Sequence, residues 1–232
     1  MPGPIEQIIW FLGIALELSF VVCSVARKSF LRYLFLNLYL IFSLVSSISR
    51  FLVLRSYGQD SDQYMYCYYY TDLVLTLALF VALISLYLRV FSELKVRQYL
   101  HWVAMLVLLG TAAFSYAIVD QSSARLSTGG FAIELSQNLY FVGLVLTYIL
   151  WGAVMKLRET RTRLVQFVLS LGLYFSAHAA SYALVDMAEK LGVVQYMSPA
   201  LGCLLPLSWT ITILRHTEES RLATAQLVAV QR

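Results

Sequence analysis

Seven apolar runs constrain this chain more than any other feature. They cover about residues 5–26, 33–54, 65–89, 100–119, 132–155, 164–185 and 196–214. Each approaches or exceeds the roughly 18 to 20 residues that a helix needs to cross the hydrocarbon core of a bilayer. Short polar gaps part them: Arg27-Lys28-Ser29, Ser56 to Asp60, Ser92 to Lys95, Asp120 to Ser123, Lys156 to Arg163 and Asp186 to Gln195. Composition agrees. Of 232 residues 60% are hydrophobic and 13% charged, where a soluble domain runs near 45–50% and about 25%. The expected fold is therefore all-α: a polytopic membrane protein built as a bundle of seven transmembrane helices over residues 1–215, followed by a short cytoplasmic tail, 216–232. Disorder, a collagen-like repeat and a disulfide scaffold are excluded. Nucleic acid is not an expected partner, because the net charge of +4 is spread over short loops and forms no basic face.

Short loops rich in Lys and Arg stay on the cytoplasmic side. With the gaps after the first, third and fifth runs and the tail placed inside, that side holds 13 of the 17 basic residues: Arg27, Lys28, Arg32, Arg89, Lys95, Arg97, Lys156, Arg158, Arg161, Arg163, Arg215, Arg221 and Arg232. Arg50, Arg55, Arg125 and Lys190 remain outside. The N-terminus is then expected outside and the C-terminus in the cytoplasm, in a plasma membrane or a bacterial inner membrane. The first run carries Glu6 and no basic residue ahead of it, which does not fit a cleaved secretory signal. The three cysteines, Cys23, Cys67 and Cys203, have no paired spacing and read as buried thiols. A Cys67 to Cys203 bridge would require the third and seventh helices to touch at one depth.

An ionisable side chain within a span costs about 2.5 to 3.5 kcal/mol on insertion scales and so marks a functional position. At 1.5 Å per residue, Glu17 lies about 14 Å from the cytoplasmic end of its helix, Arg50, Asp72 and Asn138 about 25 Å, and His178 about 21 Å. Four polar groups on four helices thus share the outer third. Residues three or four apart share a helical face, which joins Arg50 to Ser43, Ser46 and Ser47. The same spacing joins Asp72 to Tyr68, Tyr69 and Thr76, His178 to Tyr174, Ser181 and Tyr182, and Asn138 to Glu134. If these faces converge, they form a polar pocket reached from outside, with Arg50 and Asp72 as an ion pair. The competing reading is interhelical glue, the common use of such groups in membranes.

Glu17 is the sharpest position. Nothing among Gly13, Ile14, Phe20 and Val21 can neutralise a carboxylate, so a proton or a partner from another helix must do so. Depth matching offers Ser43, Thr147, Tyr174 and the carbonyl of Gly202, which loses its helical donor to Pro206. Tyr64, Tyr66, Tyr68, Tyr69 and Tyr70 crowd the outer end of the third run. Most would anchor at the interface, yet five in seven residues cover every face of a helix and some must point inward. Pro199, Gly202 and Pro206 mark the seventh helix as a hinge.

The inventory points away from catalysis. Zinc chemistry needs about three ligands and only His178 lies well inside a span; no phosphate loop or nucleophile elbow is present. No metal or cofactor is expected. The topology is that of receptors and rhodopsins, but a mid-helix lysine for retinal is missing, as is a proline-glutamine pair of the sugar-carrier type. A three plus one plus three repeat is supported only by short matches at unequal offsets. Three expectations remain. The first is a receptor-like sensory or accessory protein that takes a small ligand from the outer side and acts through a signalling or membrane partner protein. The second is a small proton-coupled transporter using Glu17. The third is a structural scaffold whose partner is the bilayer itself.

Overall fold

The computed structural model of the chain describes residues 4–58, 60–92, 97–121, 128–157, 161–188 and 194–215. The side chains of 4–6, 97–98, 121, 128–129 and 182–199 lie outside that description, as does the tail 216–232. The described residues form seven helices and no strand: α1 Pro4–Ala26, α2 Leu34–Tyr57, α3 Asp62–Val90, α4 Arg97–Gln121, α5 Thr128–Lys156, α6 Thr162–Ala188 and α7 Val194–Arg215. Six of them, α1 to α6, are long and apolar enough to cross a membrane; the side-chain-resolved apolar stretch of α7, Ala200–Arg215, is shorter.

Several helices outrun the apolar runs. The N-terminus of α3 lies at Asp62 because Ser61 caps it, its hydroxyl accepting from the Tyr64 amide at 3.2 Å and so satisfying a donor the helix cannot. Gly58 ends α2 at φ 85°, donating to the Leu54 carbonyl; a side chain there would meet left-handed backbone strain. Between α1 and α2 the Asn37 side-chain Nδ2 donates to the carbonyls of Phe30 at 3.2 Å and Tyr33 at 2.9 Å, which ties the connection to the helix that follows it.

Six helices close a ring in which α1 packs on α2, α2 on α3, α3 on α5, α5 on α6, α6 on α7 and α7 on α1. Outside this ring α4 leans on α5 and touches α3. Its outward face is apolar and bare, with Trp102 and Leu106 both 73% exposed. The same inversion recurs around the ring: Ile8, Phe11, Val22, Val145, Ile149 and Leu173 are exposed, while Asn37, Thr76, Thr147 and His178 are buried. Apolar outside and polar inside is a surface suited to lipid.

At the half of the ring holding Arg89, Arg163 and Ile213, aromatic packing fills the interior. Trp209 sits against Phe20, Tyr39 and Phe167 with centroids 5.8 to 6.0 Å apart, and its indole N–H donates to Ser170 at 2.8 Å. Arg161 donates to the Arg89 carbonyl at 3.0 Å, and the Arg89 guanidinium lies 4.7 Å from the Tyr33 ring. The α5 and α6 axes approach at Gly143, where an added Cβ would collide with the buried Phe175 ring. Gly143→Val should therefore destabilise by about 1–3 kcal/mol through overpacking, while Gly152→Val, which meets nothing within 4 Å, should not. Thermal denaturation in detergent checks this pair, and equal shifts would contradict the packing described.

Candidate functional site

A cavity of about 430 Å³ lies inside the ring, within the range of small-molecule sites. Its upper wall is formed by Ile9 and Trp10 of α1, Arg50 and Leu54 of α2, and Tyr64 and Tyr68 of α3. It descends past Asp72, His178, Gly202 and Cys203 to Glu17, Tyr39, Ser43, Tyr140 and Tyr174. Its floor is the aromatic packing already described, since Tyr39 lines the cavity above Trp209 and Phe20 lies one turn below Glu17.

Glu17 is 5% exposed. Of the partners that depth matching offers, Ser43 is the one that reaches it: the Ser43 hydroxyl donates to Oε1. Thr147 instead donates to the Gly143 carbonyl within its own helix. The second oxygen, Oε2, is buried and has no hydrogen-bond partner among the described residues. An unanswered buried acceptor of this kind is costly, and the residue that carries it lines the cavity.

Arg50 is engaged differently from the sequence expectation. Among the described residues it closes no salt bridge with Asp72, which corrects the expected ion pair. Its Nε donates to Thr71 Oγ1 at 2.7 Å, its Nη2 donates to the Tyr68 carbonyl at 3.2 Å, and the guanidinium lies 4.3 Å from the centre of the Tyr68 ring. The reason is helical: Thr71 and Asp72 are adjacent and so about 100° apart around α3, and the guanidinium meets the nearer of the two. Its charge still acts on both Asp72 and Glu17 through space. Ser136 of α5 approaches the Asp72 carboxyl, but its hydroxyl closes no well-formed hydrogen bond.

His178 is held between two rings, stacked on Tyr140 at 4.8 Å and tilted on Tyr174 at 4.1 Å, with Nδ1 3.3 Å from the Tyr174 carbonyl. The hydroxyls of Tyr39, Tyr140 and Tyr174 meet behind it, Tyr174 interacting with both others. The wall is thus polar at its edges and aromatic across its face.

Of the residues singled out from sequence, the cavity gathers Glu17, Arg50, Tyr68, Asp72, Tyr174, His178 and Gly202. Tyr69 does not line it and packs edge-on against Tyr68 at 6.0 Å. Asn138 faces the other side of α5, donating to Ser115 of α4 at 3.0 Å and to Glu134 at 3.1 Å; it fastens α4 to the ring. The side chains of Tyr182 and Pro199 lie outside the described residues. Pro206 is buried and α7 runs as one helix through it. No disulfide joins Cys23, Cys67 and Cys203: α3 and α7 are not packed partners, so the Cys67 to Cys203 bridge is excluded.

Tyr39 and Tyr140 line the cavity without having been singled out, and Cys203, read from sequence as a buried thiol, lines it as well. Two stripes carried the signal: Tyr39, Ser43, Ser46, Ser47 and Arg50 share one face of α2, and Ser136, Tyr140, Gly143 and Thr147 share one face of α5. Among the described residues no three His, Cys, Asp or Glu side chains gather as metal ligands. Comparison with models of known families, with curated proteins and with solved structures finds no significant match.

Because Arg50 bonds to α3 but not to Asp72, its truncation should act through the lost Thr71 and Tyr68 contacts. Arg50→Gln is expected to cost about 1.5–3 kcal/mol, the range for hydrogen bonds to charged groups. A double-mutant cycle with Asp72→Asn should show coupling under about 1 kcal/mol, below the several expected when one partner of a buried pair is removed. Coupling of 3 kcal/mol or more, in the range seen on breaking buried pairs, would restore the direct ion pair.

Proposed function

We propose that the chain is a seven-helix integral membrane protein of a plasma or bacterial inner membrane, with its N-terminus outside and its C-terminus in the cytoplasm. In this reading it works as a receptor-like sensory or accessory protein: the cavity receives a small ligand from the outer side, and the response passes to a separate partner chain. Thirteen of the 17 basic residues fall on the assigned cytoplasmic side, and the exposed apolar faces of α1 to α6 suit lipid. The full apolar run of α7 supplies the seventh span.

The observation that carries the ligand reading is the convergence of Glu17, Arg50, Asp72 and His178, from four helices, on one volume of about 430 Å³. Interhelical glue closes such groups on each other. Here Glu17 lines the cavity and one of its carboxyl oxygens is buried without a partner among the described residues. All the upper lining residues belong to the end of the ring that the charge bias places outside. The reading involves no catalysis, in keeping with the inventory of residue types.

A proton-coupled carrier is the second reading, favoured by the midplane carboxyl and by a ring that divides into α1–α3 and α5–α7 with α4 set apart. Against it stands the floor: Phe20, Phe167 and Trp209 are each 0% exposed and part the cavity from the cytoplasmic end. Transport would require that packing to come undone in every cycle.

In intact cells an N-terminal epitope should be stained without permeabilisation and a C-terminal one only after it. In liposomes carrying a pH gradient, candidate ligands should bind without driving proton flux. Staining of the two ends in the reverse order would overturn the orientation, and ligand-dependent flux would replace the sensor with the carrier.

A further inference from the structure

The charge around the cavity is unequal. Glu17 and Asp72 supply two carboxyls, Arg50 supplies one guanidinium, and the remaining polar lining consists of hydroxyls, His178 and Cys203. Arg50 is committed to α3 by two hydrogen bonds and a ring, and it stands beside Asp72 at the same depth. Glu17, deeper by about two helical turns at 1.5 Å per residue, has only Ser43 on one oxygen and no partner among the described residues on the other.

Much of the wall of the cavity that Glu17 lines is aromatic. Tyr39, Tyr140, Tyr174 and His178 contribute rings to it, and Ile14 and Leu75 are among its apolar members. A hard metal ion asks for six or more oxygens, which this wall does not supply. An anion would find its cation already engaged. A positively charged donor with an apolar body meets every part: it would pair with the Glu17 carboxyl that lines the cavity, balance the surplus carboxyl and lie against an aromatic wall, which attracts cations.

Resting on the reading of the cavity as a site reached from outside, we infer that its ligand is a compact organic cation, a protonated amine with an aromatic or aliphatic body, whose ammonium sits at Glu17. The volume limits that body to small-molecule size.

Cys203 lines the cavity, its sulfur 3.6 Å from where a Cβ on Gly13 would stand, one turn from Glu17. It therefore reports on the charge there. In a Cys23→Ser, Cys67→Ser background in sealed vesicles, Cys203 is reacted from outside with a trimethylammonium-bearing and a sulfonate-bearing methanethiosulfonate, both impermeant. Rates are normalised to those with a small free thiol. The cationic reagent should be favoured by about tenfold or more, since one nearby carboxylate at an effective dielectric near 20 is worth at least that much. Glu17→Gln should remove most of the preference and Arg55→Gln should leave it unchanged. A second arm keeps the test intact if Glu17→Gln does not fold: 2-phenylethylammonium should slow labelling of the parent protein, and 2-phenylethanol, its neutral counterpart, should not.

Equal rates for the two reagents, or equal protection by amine and alcohol, would overturn the cation assignment while leaving an accessible cavity. Failure of both reagents to reach Cys203 until the protein is denatured would overturn the outward cavity, and the cation assignment with it.

Discussion

A carboxyl set in hydrocarbon must be answered from another helix, and most of this structure follows from where that answer comes. Glu17 faces inward from α1 because the lipid side offers it nothing; Ser43 on α2 supplies a donor. Several other polar groups obey the same rule. Arg50 reaches across to α3, Trp209 to Ser170 of α6, Tyr87 of α3 to the Leu146 carbonyl of α5, and Asn138 to Ser115 of α4. Helices that are apolar outside have no hydrophobic reason to associate in lipid, so these contacts and close packing decide the neighbours.

What separates the two ends of the molecule is how completely the interior is filled. In the half around Trp209, rings fill the space and basic side chains bond to backbone carbonyls at helix ends. In the other half the helices leave a volume, and there one carboxyl oxygen stays unanswered. That asymmetry makes the cavity a receptacle closed below, and it favours sensing over passage. Ligand binding would act on α1, α2 and α7, which meet around Glu17, and α7 runs from the cavity wall at Cys203 through Trp209 to the opposite end at Arg215. In the proposed reading, a shift of α7 would be the direct route from ligand to partner.

Much of the fold was legible because its signal is long. Seven runs of apolar residues set seven helices, although their ends moved outward where Ser61 caps α3 and where α5 begins at Thr128; hydropathy registers lipid-facing residues and is blind to a capped turn in water. Site residues were legible where a helix carried a single polar face, as in α2 and α6. They were not on α5, whose two polar faces compete: Asn138, the more polar residue, faces α4, while Ser136 and Tyr140 face the ring interior. Nor does depth alone fix which neighbour a long side chain chooses, which is why Arg50 met Thr71 in place of Asp72. Which helix stands outside the ring is a tertiary fact with no local mark, beyond the bare apolar face of α4.

The central claim is that Glu17 is turned from lipid into a polar interior where Ser43 meets it. Magic-angle-spinning NMR of the protein in bilayers, with glutamate and serine carbons labelled, measures this directly. A cross-peak between the Glu17 carboxyl carbon and Ser43 Cβ is expected, disappearing in Ser43→Ala, with no transfer from lipid acyl protons to the carboxyl. Transfer from acyl chains to Glu17, without a contact to Ser43, would contradict it.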